Sequence, residues 1–411
     1  MRRHWPLTLR GAGALALATA CFVVAQRAGI PELMYFGVLL VGLVVAGAAA
    51  LWLMRRGDDV VRTVRPSTTD VGGVATVVVR AYLRTALPAA PGRWRDVVPP
   101  GLRGRAEGAL PAAAANPRGT RRPVELRYEV VGQGRGIHLL GPLELVTTDP
   151  FGLVRRRLAI GTTTPVVVAP RIVDLAPLPG TSGEPGGTRH DAALPLGQGA
   201  DNLVARPYTP GDSMRRIHWR ATAHRDTLMV RQEEQEASPV ALVVLDRGVS
   251  RWSPDATVAP GLDPAFETAL SACVSIVARL VREGYTVDVV DSDGTALSEP
   301  VGGDAAAARV LASTLATLTA RADDPERRLV PPAAASVRGP VVVVTGALGD
   351  DAAAAHEAAP RRSALPVLWS VADAVGPGLV AGWRTTALSP GGDVSAAWSA
   401  VVEREPSRVG R

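Results

Sequence analysis

Two apolar runs open the chain. Gly11–Gln26 is bounded by Arg10 and Arg27, and Leu33–Met54 is a 22-residue stretch without charge. A helix of that length spans about 33 Å, enough for a bilayer core of about 30 Å. The pattern predicts a helical hairpin turned at Gly29–Glu32. Beyond it the period shortens. Val74–Arg80 is rich in β-branched residues, and Val124–Val131 alternates with Val124, Leu126, Tyr128 and Val130 on one face. Leu139–Val146, Leu153–Ile160 and Pro165–Val168 are further predicted strands. The stretch Arg84–Arg122 predicts one short strand near Val97-Val98 within a long Ala/Pro/Arg loop.

After residue 237, strand and helix alternate. Val240–Leu245, Thr286–Val290, Pro340–Val344, Leu365–Val371 and Thr385–Leu388 read as strands, and Ala265–Glu283, Ala305–Ala320, Asp351–Arg361 and Asp393–Glu403 as helices. In the first of these helices Phe266, Leu270, Cys273, Val277 and Leu280 recur at core-facing spacing. Continuous apolar strands between helices predict a buried parallel sheet, doubly wound, with helices on both faces. The middle region, punctuated by Pro and Gly and lacking a helical period, predicts an antiparallel β-sandwich of the immunoglobulin-like kind. The chain thus reads as an α+β multidomain membrane protein. Its parts are a transmembrane hairpin (1–56), a β-sandwich (57–176), a linker with an arginine-rich segment (177–236), an α/β domain (237–405) and a disordered tail (406–411). Pro177–Gly187 is the Gly/Pro/Ser linker.

Charge orients the hairpin. Arg2, Arg3 and Arg10 precede the first run, and Arg55, Arg56, Arg62 and Arg65 follow the second; the turn holds only Arg27 with Glu32. Both ends are expected in the cytoplasm, with the soluble domains. The 45 basic residues are all arginine, for the chain has no lysine, so an arginine here is weaker evidence of a special site than usual. The net charge of +6 permits anionic partners without selecting one. The two cysteines, Cys21 and Cys273, lie in apolar runs and supply neither a disulfide framework nor a zinc site.

The densest polar stretch is 197–236. Six arginines fall between Arg206 and Arg231, interleaved with Tyr208, His218 and Trp219. Pro210-Gly211 signals a turn and Asp212 stands as an N-cap. A helix is predicted from Ser213 to His224, with Met214, Ile217 and Ala221 on one face and Trp219 packed, followed by a strand Leu228–Arg231. The pattern of Arg206, Tyr208, Gly211, Asp212, Arg215, Ile217, His218, Trp219, Arg220 and Arg231 resembles the signature of the bacterial family known as "domain of unknown function 58". The run Arg135–Leu153, in which Asp149-Pro150-Phe151-Gly152 is expected to be a turn with a buried aromatic, is a second match to it. His138 in that run has no partner at ligand spacing and is expected to be structural.

At the end of the first α/β strand, Asp246-Arg247-Gly248-Val249-Ser250 resembles the Asp-x-Ser-x-Ser motif of von Willebrand factor type A domains, whose oxygens help hold magnesium. Asp246 and Ser250 match that motif as metal ligands. Gly248 replaces the first serine, and Thr345-Gly346-Ala347 stands where the family has Thr-Asp-Gly. With two departures, the expectation is that Asp246 caps a loop without tight magnesium binding, and no cofactor is expected.

No phosphate-binding loop, HExxH, CxxC or GxSxG motif occurs. Asp212 and His218, six apart on a helix, would point to different faces, which argues against an acid–base pair. The expectation is a protein that is not an enzyme. The family resemblance implies a membrane-anchored adaptor or scaffold for a MoxR-type AAA+ ATPase in assembling or remodelling complexes. Arg206, Arg215, Arg216 and Arg220 would then meet carboxylates on that partner or, equally, within the chain. The alternative is a basic surface for anionic lipid or nucleic acid. Glu233, Glu234 and Glu236 follow at once and argue against nucleic acid.

Overall fold

The computed structural model describes residues 6–53, 59–82, 91–112, 123–178, 203–209, 214, 217, 219–225, 227–233, 239–322, 328–348, 361–372 and 382–403. Within these, nothing is described of the side chains of Leu53, 203–206, Ala221 and 231–233. Most of the expected helix Asp351–Arg361 and the expected tail fall outside the description. Among the described residues the helices are α1 (Leu9–Ala28), α2 (Pro31–Leu53), α3 (Trp219–Arg225), α4 (Asp255–Val258), α5 (Pro264–Arg282), α6 (Ala305–Thr314) and α7 (Val394–Glu403). The chain divides into two compact units.

The first unit comprises Met1–Ile172, Ser253–Glu267 and Ala312–Ala320. Thr8 caps α1, its hydroxyl accepting from Gly11 N. Gly29, at φ +69°, ends α1 in the left-handed region where a side chain would be strained. Pro31 then opens α2, where its missing N–H costs nothing. Both helices are long and apolar enough to cross a membrane. Between Asp59 and Ala169 the described residues of this unit form three sheets. One sheet runs β1 (Asp59–Arg65), β3 (Val74–Tyr82), β7 (Val124–Gly132), β5 (Leu102–Arg103). A second runs β10 (Arg155–Ile160), β9 (Leu143–Thr148), β4 (Gly92–Asp96), β6 (Glu107–Leu110). The third runs β2 (Thr68–Asp70), β11 (Thr164–Ala169), β8 (Gly136–Leu140). Pairing is antiparallel except between β2 and β11.

Strand alternation places Val77, Val79, Leu126, Tyr128, Val130, Leu145 and Val166 in one shared core. A polar knot sits within it. Arg62 donates through Nε and Nη2 to the two oxygens of Asp96, each at 2.9 Å, and Tyr128 Oη donates to Asp96 Oδ2 at 2.6 Å. Burial, with the Asp96 carboxylate beside it, pushes the Tyr128 phenol well above its usual range. Two sequence expectations change here. The apolar run Leu139–Val146 is two strands, β8 and β9, parted at Gly141-Pro142, where Gly141 at φ +102° turns the chain. The expected strand at Val97-Val98 lies earlier, as β4, and the expected loop around it also holds β5 and β6. Short strands with one buried position in two or three carry too little apolar signal to be read from sequence.

The second unit comprises Val173–Trp252, Thr268–Leu311 and Arg321–Arg411. Its sheet runs β15 (Thr286–Asp291), β14 (Val240–Leu245), β16 (Val341–Thr345), β17 (Pro366–Ser370), β18 (Arg384–Ala387), every pair parallel. The strand order reverses beside β14, the switch point where open α/β sheets place their functional groups. On one face Trp369 of β17 stacks on Trp398 of α7, centroids 6.3 Å apart. On the other, Leu242, Val244, Val341 and Val343 pack under Leu329, Val330 and Ala334. Ala334 belongs to a 3₁₀ turn, Pro332–Ser336, where helical cover was expected. The expected helix Ala305–Ala320 stops at Thr314 and tightens into a 3₁₀ turn, Leu315–Thr317. The start of the expected linker is not free: Leu178 is buried and its N–H donates to Glu283 Oε1 at 2.8 Å.

Candidate functional site

β14 ends at Leu245, and its next residue, Asp246, is wholly buried at the switch point. The backbone N–H of Gly248 and the hydroxyl of Ser292 donate to Asp246 Oδ1 at 3.0 and 3.1 Å. Thr345 Oγ1 donates to Oδ2 at 2.6 Å, and Arg251 Nη1 pairs with the same oxygen at 3.1 Å. A second layer surrounds this pair. Arg321 Nε and Arg247 Nη1 lie 3.1 and 3.6 Å from Asp291 Oδ2, and Arg321 also pairs with Asp293. The three acids and three arginines so named cancel in formal charge.

Burial pushes the Asp246 carboxyl above the usual carboxylate range, and Arg251 with the three donors offsets this only in part. Burial likewise lowers Arg247, against the pull of Asp291. Burial tends to raise Asp293 as well, but the Thr295 N–H and hydroxyl and the Arg321 charge hold it below its ordinary value. Two loops close over the site. Trp252 Nε1 donates to the Asp246 carbonyl at 3.0 Å, and Ala347 N to the Arg251 carbonyl at 3.1 Å. Gly346 is required beneath them, because a Cβ there would collide with the Arg251 carbonyl.

This donor set does not suit magnesium. A hard cation needs carboxylate lone pairs facing it; here both Asp246 oxygens are engaged by donors, and a guanidinium stands where positive charge is needed. Ser250 is exposed on the 3₁₀ turn Val249–Arg251. Thr345 binds Asp246 directly. Asp246 was legible from sequence as a strand-end acid. Its partners Arg251 and Ser292 were not, and neither was Arg321 beside Asp291, since they arrive from separate loops; the pair Asp291-Ser292 at the end of the neighbouring strand was the available signal.

The arginine-rich segment forms a second candidate. β12 (Leu203–Pro207) pairs antiparallel with β13 (Met229–Glu233), setting Arg206 opposite Val230 and Arg231 opposite Ala205. Tyr208 N donates to Leu228 O at 2.8 Å, extending the pair, and Tyr208 itself is half-buried. Between these strands lies α3. Met229 and Val230 are buried, and Met229 N donates to Thr222 Oγ1 at 3.0 Å, which ties the helix to the strand.

The expected helix Ser213–His224 is corrected. Ile217 makes an antiparallel bridge with Val230, so the backbone there is extended and the helix begins only at Trp219. Of the expected apolar face, Ile217 is buried but Met214 is 69% exposed. Trp219, expected to pack, is also 69% exposed. Arg220, His224 and Arg225 are exposed beside it. Gly211, Asp212, Arg215, Arg216 and His218 lie outside the described residues. His138 Nε2 lies 2.7 Å from the Gly134 carbonyl.

Residues 204–373 match the family described as "Protein of unknown function DUF58". None of the curated proteins matches the chain. Three solved structures are similar to part of it. A FixG-related protein from Vibrio parahaemolyticus is 6% identical, with a TM-score of 0.17 over 28% of this chain and 98% of that one. A conjugative transposon lipoprotein from Bacteroides eggerthii is 13% identical, with a TM-score of 0.15 over 25% and 96%. CaCohA2 from Clostridium acetobutylicum is 13% identical, with a TM-score of 0.14 over 27% and 90%.

Proposed function

We propose that this chain is a membrane-anchored adaptor that does no chemistry of its own. Its hairpin holds it in the bilayer with both soluble units at the cytoplasmic face, and the α3 segment docks a MoxR-type AAA+ ATPase. The observation that carries this reading is the exposure of Trp219 next to Arg220. A large aromatic and arginines left in solvent have the composition of a protein-docking hot spot, whereas a clamp internal to the chain would bury them. The family resemblance supplies the ATPase; the exposed basic residues call for carboxylates on its surface.

The β-rich unit on this reading is an immunoglobulin-like spacer. The parallel sheet is a type A-like module in which the Arg251 guanidinium supplies the positive charge that a metal supplies elsewhere. Such a module binds by its surface and needs no cation.

The test is crosslinked affinity capture from native membranes, comparing wild type with Trp219→Ala/Arg220→Glu. An AAA+ ATPase recovered with wild type and lost with the variant supports the reading. Equal recovery moves the contact elsewhere. Recovery of lipid or nucleic acid instead, with steep salt dependence, favours the electrostatic alternative.

A further inference from the structure

The Asp149-Pro150-Phe151-Gly152 turn of the β-rich unit is built into the open end of the helical hairpin. Contacts from both helices fix its depth. Along α1, Arg155 N donates to the Pro6 carbonyl at 2.6 Å, Leu7 bridges Val154, Thr8 N donates to the Leu153 carbonyl at 2.9 Å, and Thr8 Oγ1 donates to the Gly152 carbonyl at 2.6 Å. The Leu153 carbonyl lies so close to Gly11 that a Cβ there would collide with it. From Arg155 back to Gly152, then, the turn descends alongside Pro6 to Gly11. Along α2, Arg156 Nη1 donates to the Leu51 carbonyl at 2.6 Å, while the Asp149 carboxylate lies 2.9 Å from where a Gly47 Cβ would stand. Gly47 is four residues inward of Leu51, about 6 Å at 1.5 Å per residue. Both helices therefore place the tip of the turn about one helical turn inside the hairpin's open end.

The chemistry of the turn suits that depth. Its one acid, Asp149, is buried, with Oδ1 accepting from Val154 N at 2.6 Å and Oδ2 from Phe151 N at 3.0 Å. Leu153 and Val154 join Val44, Ala48, Leu51, Ala14 and Leu15 in an apolar cluster. Phe151, expected from the sequence to be buried, is instead 57% exposed at this level, with Trp52 81% and Leu9 92% exposed on the flanking helices. Around them stand exposed basic residues, Arg10 and Arg155, with the Arg10 guanidinium 3.7 Å from where a Gly152 Cβ would stand. Aromatic rings with an arginine rim are what the boundary between acyl chains and headgroups accepts.

We propose that Phe151 is inserted into the bilayer interface, so that the β-rich unit itself, and not only the hairpin, holds the membrane through this turn. The occupant of the exposed face is lipid, because the face is continuous with the apolar surfaces of α1 and α2. The inference rests on the reading of the hairpin as membrane-spanning.

The test uses the full chain reconstituted in vesicles of phosphatidylcholine and phosphatidylglycerol, with a spin label on Phe151→Cys and, separately, on Leu39→Cys. Both positions are exposed on the protein, so neither replacement disturbs packing. Wild type is the labelling blank, since Cys21 and Cys273 are buried. The expected result is that the label at 151 is several-fold more accessible to oxygen than to a water-soluble nickel chelate, and shallower than the label at 39. If the label at 39 reports the bilayer interior while that at 151 is open to the chelate, the inference falls and the hairpin reading stands. If both are open to the chelate, the spanning reading itself falls. A label at 151 shielded from both reagents means protein covers the face, a second copy or a partner, and also overturns the proposal.

Discussion

Arg135 of the β-rich unit and the arginines of the α3 segment are used in opposite ways. In the first, Arg135 is buried to 1% exposure. It donates through Nε and Nη2 to Glu267 at 2.7–3.1 Å, and through Nη1 to the carbonyls of Leu315 and Ala316 at 2.8 and 3.0 Å. It thereby fastens the start of α5 and the start of a 3₁₀ turn, 132 to 181 residues away in sequence, into the first unit. In the second, Arg220 and Trp219 are exposed. Similar composition therefore serves architecture in one place and surface in the other.

The strongest way to break that comparison is to remove the buried member. Arg135→Met should cost about 3–5 kcal/mol, the usual result of breaking a buried pair, because it strands Glu267 and two carbonyl oxygens. Glu267→Leu added to it should return part of the loss, since an apolar pair needs no compensation. Denaturant unfolding of the full chain in detergent reads both. A loss under about 1 kcal/mol for the single variant would mean that Arg135 is not a fastener.

Arg251→Met should cost somewhat less, because Asp246 can escape by taking a proton. Burial already holds the folded carboxyl above its unfolded value. As pH rises from the unfolded value, the unfolded chain ionises first, so stability falls through the window up to the folded pKa. Removing Arg251 raises that upper limit. The variant's deficit should therefore be small near pH 4 and grow toward about 3 kcal/mol at neutral pH. A deficit that does not change with pH would show that the pair does not control this carboxylate.

The joint with the hairpin offers a smaller effect with an internal control. Gly11→Val should cost about 1–3 kcal/mol by forcing the Leu153 backbone away. Gly13→Val, on the same helix with nothing within 4 Å of its Cβ position, should be neutral. Thermal midpoints in detergent compare the two, and equal midpoints would remove the turn from the joint.

How much of this was open to sequence reading follows from where each signal lives. The hairpin, β7 with its alternating Leu126, Tyr128 and Val130, and the apolar β14 and β16 are local patterns, and a period reveals them. The break in the Leu139–Val146 run was hidden because its residues stay apolar through Gly141-Pro142. The spacing of Met214, Ile217 and Ala221 fits a helix, yet Val230, a strand away, takes Ile217 into a bridge. Asp246 announced itself as a strand-end acid, but Arg251, Ser292 and Thr345 converge on it from a 3₁₀ turn, a loop and the end of β16. Arg135 and Glu267 lie far apart in the chain, and nothing local in either predicts the other.

The smallest expected effect on stability is also the most informative about function. Trp219 and Arg220 are exposed on a helix tied to the strand through Thr222. Trp219→Ala/Arg220→Glu should therefore shift stability by no more than about 0.5 kcal/mol, the usual range for surface sites. Loss of captured ATPase in a variant that unfolds at the wild-type midpoint can then be assigned to the surface itself. A large drop in stability would instead place Trp219 with Arg135, as architecture whose partners lie within the chain. The adaptor reading would then lose the exposed aromatic that sets this segment apart.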